Sequence, residues 1–117
     1  CSGLGVLRRN PESRWTRLAA DLKELAELQL KILFNVAPFV RPGGVLLYSL
    51  CTFSRAETTG VVETFLESHK EFAVESFSGQ LPDHWQKLLD SSGALRSFPH
   101  LHDGMDAFYA VCLRRKI

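Results

Sequence analysis

The chain has 117 residues, enough for one domain with a modest core. Hydrophobic residues make up 45% of it and charged residues 23%, an ordinary composition for a globular protein. A formal net charge of +1 excludes a global basic field, so a nucleic-acid partner has to be met through local patches.

The first fourteen residues read as a loop, with Gly3, Gly5, Asn10 and Pro11 supplying turn chemistry. From about Leu18 the apolar positions Leu18, Leu22, Leu25, Leu28, Ile32 and Val36 recur in steps of three and four. That spacing predicts an amphipathic helix, with Asp21, Lys23, Glu24, Glu27 and Lys31 on its polar side and its end before Pro38. "VRPGG" at 40–44 predicts a tight turn, and "VLLYSLC" at 45–51 a strand buried on both faces. Ser54 and Glu57 have capping-box spacing ahead of a helix whose apolar face is Val61, Val62, Phe65 and Leu66, ending near His69. "FAVESF" at 72–77 alternates as a strand, and 78–105 is a long punctuated segment with a short helix around Trp85–Asp90. "DAFYAVCLRR" at 106–115 predicts a closing strand with Ala107, Tyr109, Val111 and Leu113 on one face.

Alternating helices and strands predict a doubly wound α/β sheet. Three strands and two good helices amount to half of such a fold, which leaves 45–51 on an exposed edge open to self-association. The chain opens on Cys-Ser-Gly-Leu-Gly with no initiator Met, and this too reads as the middle of a longer protein. No apolar run approaches a membrane span and no signal peptide is visible.

Three cysteines, Cys1, Cys51 and Cys112, form an odd set without CxxC spacing. This disfavours a disulfide framework or a zinc ribbon and indicates a reducing, cytoplasmic setting. Cys51 stands at the carboxyl end of a predicted strand, where ligands of open α/β sheets bind, just before a predicted helix start. A thiolate there suits covalent catalysis; a small buried hydrophobe fits the same position.

"CSGLGVLRRNPESRW", "LAELQLKILFNVAPFVRPGGVLLYSLCTFSRAE" and "FPHLHDGMDAFYAVCLRR" together resemble the RsmB/Sun group of RNA cytosine-5 methyltransferases, the NOL1/NOP2/Sun family. The resemblance runs over essentially the whole chain and is weakest at 70–97. It implies the C-terminal half of a Rossmann-like class I S-adenosylmethionine-dependent methyltransferase fold, with about three strands, flanking helices and an antiparallel last strand. Residues 1–117 are then a partial catalytic domain. By that resemblance Cys51 is the nucleophile that attacks carbon 6 of the target cytosine, and Cys1 assists product release. The family's aspartate just ahead of Cys1 has no counterpart here, Leu50 replaces a usual threonine, and Asp106-Ala107-Phe108-Tyr109 replaces Asp-Gly-Phe-Phe.

The resemblance also implies S-adenosyl-L-methionine as cofactor and RNA, most simply small-subunit (16S) rRNA, as partner. A transfer-RNA target and a non-catalytic RNA-binding module are the alternatives. No glycine-rich loop follows a strand in this sequence, so cofactor-binding residues are expected elsewhere and the isolated chain is expected to be inactive. Arg8, Arg9 and Arg14, with Arg17, form a basic cluster suited to RNA phosphates or to pairing with Glu12 and Asp21. Trp15 is read as a packing residue. His100 matches a Pro-His of the family and is expected on the substrate side of the pocket. His100, His102 and Asp103 do not make a metal site by spacing, Cys112 is expected to be structural, and Arg114, Arg115 and Lys116 form a basic tail.

Overall fold

The computed structural model describes the chain except for Arg8, Ser13, Arg14, Thr16, Arg17, Leu18 and Asp103. After a 3₁₀ turn at Leu4–Val6 come α1 (Ala19–Val36), β1 (Val45–Leu50), α2 (Thr59–Ser68), β2 (Phe72–Glu75), β3 (Leu95–Ser97) and β4 (Phe108–Arg115). Two further 3₁₀ turns lie at Ala37–Phe39 and Asp83–Leu88.

The helix α1 stops where Pro38 removes a backbone donor. Gly43 then turns the chain through the left-handed region (φ 78°), which a side chain disfavours. Its N–H donates to the Arg115 carbonyl at 2.8 Å, and the Arg115 N–H returns a bond to Gly44 at 2.8 Å. The turn therefore delivers β1 directly against β4, with Val45 opposite Arg114 and Leu50 opposite Tyr109.

The sheet order is β1-β4-β2, and β3 also pairs with β4. All three pairings are antiparallel, so β1 and β2 run parallel to each other on either side of a reversed β4. The expected antiparallel last strand is β4, and among the described residues it lies at the centre of a small mixed sheet rather than at the edge of a doubly wound one. β3 joins it as a fourth strand in a segment expected to be irregular. The closing strand has the predicted face: Ala107, Tyr109, Val111 and Leu113 are all buried.

The core lies between the sheet and the two helices. Phe65 on α2 sits at its middle, stacked on His69 at 4.4 Å between ring centroids and packed on Phe34 and Phe72 at 6.1 and 5.3 Å. Two sequence expectations need correcting. β1 is covered on one face only: Tyr48 and Leu50 are buried, whereas Val45 and Leu47 are exposed, Leu47 by 60%. The inward stripe of α1 is also rotated, with Gln29 and Leu33 buried and Leu28 and Ile32 exposed. Ile32, Val36 and Leu47 instead line an apolar groove along the edge of β1 that carries no strand partner among the described residues.

Leu113 is fully buried, so Leu113→Ala is expected to cost about 2–5 kcal/mol in urea unfolding. Leu47→Lys should change folding free energy by no more than about 0.5 kcal/mol while reducing concentration-dependent self-association, as measured by sedimentation velocity.

Candidate active site

The end of β1 leads through Cys51 into Thr52-Phe53-Ser54, and the N-terminal loop folds back onto this point. Two backbone bonds make the junction: the Gly5 N–H donates to the Cys51 carbonyl at 2.9 Å, and the Ala107 N–H donates to the Gly5 carbonyl at 2.9 Å. Gly5 is clamped between two strands, and a Cβ there would stand 2.0 Å from the Ala107 oxygen and 2.6 Å from the Cys51 carbonyl. Only glycine permits this approach. The clamp brings Cys1, which is exposed, to Cys51, which is half-buried: the Cys1 thiol donates to the Cys51 carbonyl at 4.0 Å. The two cysteines singled out in the sequence are therefore neighbours, though 50 residues apart.

Beneath them lies a carboxylate. Glu57 is fully buried and accepts hydrogen bonds from four donors. The Ser2 N–H (2.7 Å) and Gln29 Nε2 (3.2 Å) donate to Oε1. The hydroxyls of Ser2 (2.7 Å) and Thr52 (2.9 Å) donate to Oε2. Tyr48 donates its hydroxyl to the Glu57 carbonyl at 2.6 Å, with Gln29 Oε1 at 3.3 Å. Burial pushes the Glu57 carboxyl up, but the bonds from Ser2, Thr52 and Gln29 outweigh it and hold the group below its ordinary value of 4.5. Tyr48 is driven the other way, above the ordinary phenol range, by burial and then by the Glu57 charge.

Glu57 does not act as the predicted capping box. It turns inward rather than back to Ser54, and α2 begins at Thr59 after a series of turns.

A cleft of about 440 Å³ opens beside this junction, lined by Leu4, Gly5, Leu7, Phe53, Phe98 and His100 among others. Its size falls within the roughly 300–1,000 Å³ of small-ligand pockets. His100 is exposed at the rim, its ring 5.6 Å from that of Phe98. His102 instead accepts the Phe98 N–H on Nδ1 at 3.0 Å, which holds the loop.

Arg9 is exposed and pairs with Asp106 at 2.6 Å, rather than with the acids expected for the cluster. Arg8, Arg14, Arg17 and Asp103 lie outside the described residues. The basic tail is spent on the fold. Arg114 pairs with Glu75, Arg115 donates to the Val40 carbonyl at 2.6 Å, and Lys116 to the Lys70 carbonyl at 2.7 Å. Cys112, in β4, is half-buried, with burial raising its thiol pKa. Among the described residues no group of three His, Cys, Asp or Glu side chains is placed to hold a metal ion, and no helix is long and apolar enough to cross a membrane.

Comparison with known proteins places these features. The sequence family described as 16S rRNA methyltransferase RsmB/F matches residues 1–114. The chain belongs to this family. It is 38% identical over 117 residues to the probable ribosomal RNA small subunit methyltransferase B of Bacillus subtilis (strain 168), covering 99% of this chain and 26% of that protein. In three dimensions it resembles the crystal structure of PH0851, with a TM-score of 0.84 and 29% identity, over 98% of this chain and 25% of the other. It also resembles NSun6 from Pyrococcus horikoshii solved with SFG, with a TM-score of 0.76 and 27% identity, over 98% and 28% of the two chains. The chain thus spans about a quarter of the length of these relatives.

Sequence reasoning singled out Cys1 and Cys51 but missed the buried partners of Glu57. The available signal was Gln29, a polar residue placed among the apolar positions of α1. Gly5→Ala should release the N-terminal loop, seen as faster alkylation of Cys51 and a lower Tm; unchanged Cys51 reactivity would contradict the clamp. A second expectation concerns acid. Because the folded Glu57 pKa lies below its ordinary value, its stabilisation is present above about pH 4.5 and lost as pH falls through the folded value. Urea unfolding from pH 7 to pH 3 should show this loss, and a shallower slope in Glu57→Gln.

Proposed function

We propose that this chain is the C-terminal part of the catalytic domain of an RNA (cytosine-5)-methyltransferase acting on small-subunit rRNA, and so in the cytoplasm. The reading is supported by membership of the RsmB/F family and carried by one observation: Cys1 and Cys51 meet at the carboxyl end of β1, next to Gly5 and Phe53 of a cleft large enough for a nucleoside.

In this reading the Cys51 thiolate attacks carbon 6 of the target cytosine, forming a sulfur–carbon bond and leaving carbon 5 electron-rich. Once carbon 5 carries its methyl group, the carbon-5 proton passes to solvent water acting as base. The C–H electron pair re-forms the ring double bond as the Cys51 thiolate departs. Cys1, beside Cys51, assists this release. Phe53 and Phe98 offer the apolar walls on which a flipped base would rest, with His100 at the rim. Arg8, Arg9 and Arg14 are assigned to the RNA backbone.

S-adenosylmethionine is the methyl donor that the family implies. The described residues do not fit it: the groove along β1 has apolar walls relieved by Gln29, Tyr48 and Ser49, without a carboxylate for a ribose diol or a glycine-rich turn. The donor is therefore assigned to a preceding half of the domain, and residues 1–117 alone are expected to be inactive.

In the full-length enzyme, Cys51→Ala should abolish methyl transfer and covalent capture of 5-fluorocytosine RNA, whereas Cys1→Ala should let the covalent RNA adduct accumulate. Retained methyl transfer in Cys51→Ala would refute the nucleophile assignment.

A further inference from the structure

We infer that Glu57 is a positioning residue for the release step: its buried carboxylate fixes the segment carrying Cys1 against the segment carrying Cys51. This rests on the reading of the two cysteines given above and adds the group that sets their relative position.

Glu57 is buried beneath the cysteines and acts through their neighbours. Ser2, next to Cys1, gives it both its N–H and its hydroxyl, and Thr52, next to Cys51, gives its hydroxyl. Both hydroxyl protons converge on Oε2, and the two hydroxyl oxygens lie 3.2 Å apart. A carboxylate accepts on both oxygens, which is what this arrangement needs. Glutamine would present an amide donor to one pair of these donors, and aspartate would fall one methylene short. The Glu57 backbone is itself fixed, since Tyr48 on β1 donates to its carbonyl, while Gln29 on α1 holds Oε1.

The two cysteines depend on this clamp unequally. Cys51 continues directly from β1 and also receives the Gly5 N–H on its carbonyl, so its place survives without Glu57. Cys1 is exposed at the start of the loop and is anchored through Ser2. Loss of the carboxylate should therefore spare formation of the sulfur–carbon 6 bond and impair its breakage. In that breakage the carbon-5 proton passes to solvent water acting as base, the C–H electron pair restores the ring double bond, and Cys51 departs as thiolate.

The test uses the full-length methyltransferase with S-adenosylmethionine and a small-subunit rRNA transcript. It compares wild type, Cys1→Ala, Glu57→Gln and Ser2→Ala. Denaturing gels report the protein–RNA adduct, and methyl incorporation separates the first turnover from the steady state. Glu57→Gln is expected to accumulate adduct as Cys1→Ala does, to keep its first turnover, and to lose roughly tenfold to a hundredfold in steady-state rate. Ser2→Ala, which removes one of the two Ser2 bonds, should shift both readouts in the same direction by less. A simple loss of folding would abolish the adduct instead of raising it. If Glu57→Gln makes no adduct, accumulation in Ser2→Ala still supports the inference. Wild-type turnover without adduct in Glu57→Gln overturns it, as does loss of adduct in Glu57→Gln with wild-type behaviour in Ser2→Ala. Absence of adduct in Cys1→Ala would instead refute the release role of Cys1, and the positioning role with it.

Discussion

A charged carboxylate removed from water is costly unless its lone pairs are occupied, and Glu57 meets that condition with neutral donors drawn from distant parts of the chain. Ser2 comes from the N-terminal loop, Gln29 from α1, and Thr52 from the exit of β1. Because each donor offsets part of one desolvation penalty, the network is stable only when complete. That requirement ties together three segments that no single strand pairing would join. The meeting of Cys1 and Cys51 is a by-product of satisfying one buried charge.

Around this fixed point the polar side chains divide between holding the fold and facing outward. Asp90 is enclosed by bonds from Ser92, Ala94 and Arg96, which together outweigh burial and hold its pKa down, and so it shapes the approach to β3. Arg96 in turn lies over the Tyr109 ring at 4.6 Å. Arg9 spans from the N-terminal loop to Asp106, reinforcing the backbone bond between Gly5 and Ala107. The cleft wall is accordingly a composite of the first residues, the exit of β1 and the loop before β4.

How much of this was legible depended on whether a residue's role was periodic. β4 was readable because Ala107, Tyr109, Val111 and Leu113 alternate along it, although Ala110 is buried as well, and α2 because its apolar face stops at His69. The inward face of α1 was misassigned because Leu22, Leu25, Leu28, Leu30, Ile32 and Leu33 make it apolar over more than one stripe, so periodicity could not choose which stripe turns inward. β3 is only Leu95-Arg96-Ser97, too short to alternate visibly. Ser54 and Glu57 had the spacing of a local cap, and a local rule cannot reveal that Ser2 competes for the same carboxylate. Cys1 and Cys51 were singled out through three ordered motifs, whereas the contact that joins them lies in the tertiary structure.

The central place of β4 has a consequence for how the chain acquires its shape. β1, β2 and β3 are laid down first, yet among the described residues their ladders are all with β4 and none are with one another. Among the described residues the one ladder between consecutive strands, β3 with β4, also waits for the last strand, and each pairing must close a loop before any bond repays it. During synthesis the edge of β1 that faces β4 stays unpaired until Phe108–Arg115 has left the ribosome. Over that interval the edges that later meet β4 stand open to pairing with another chain.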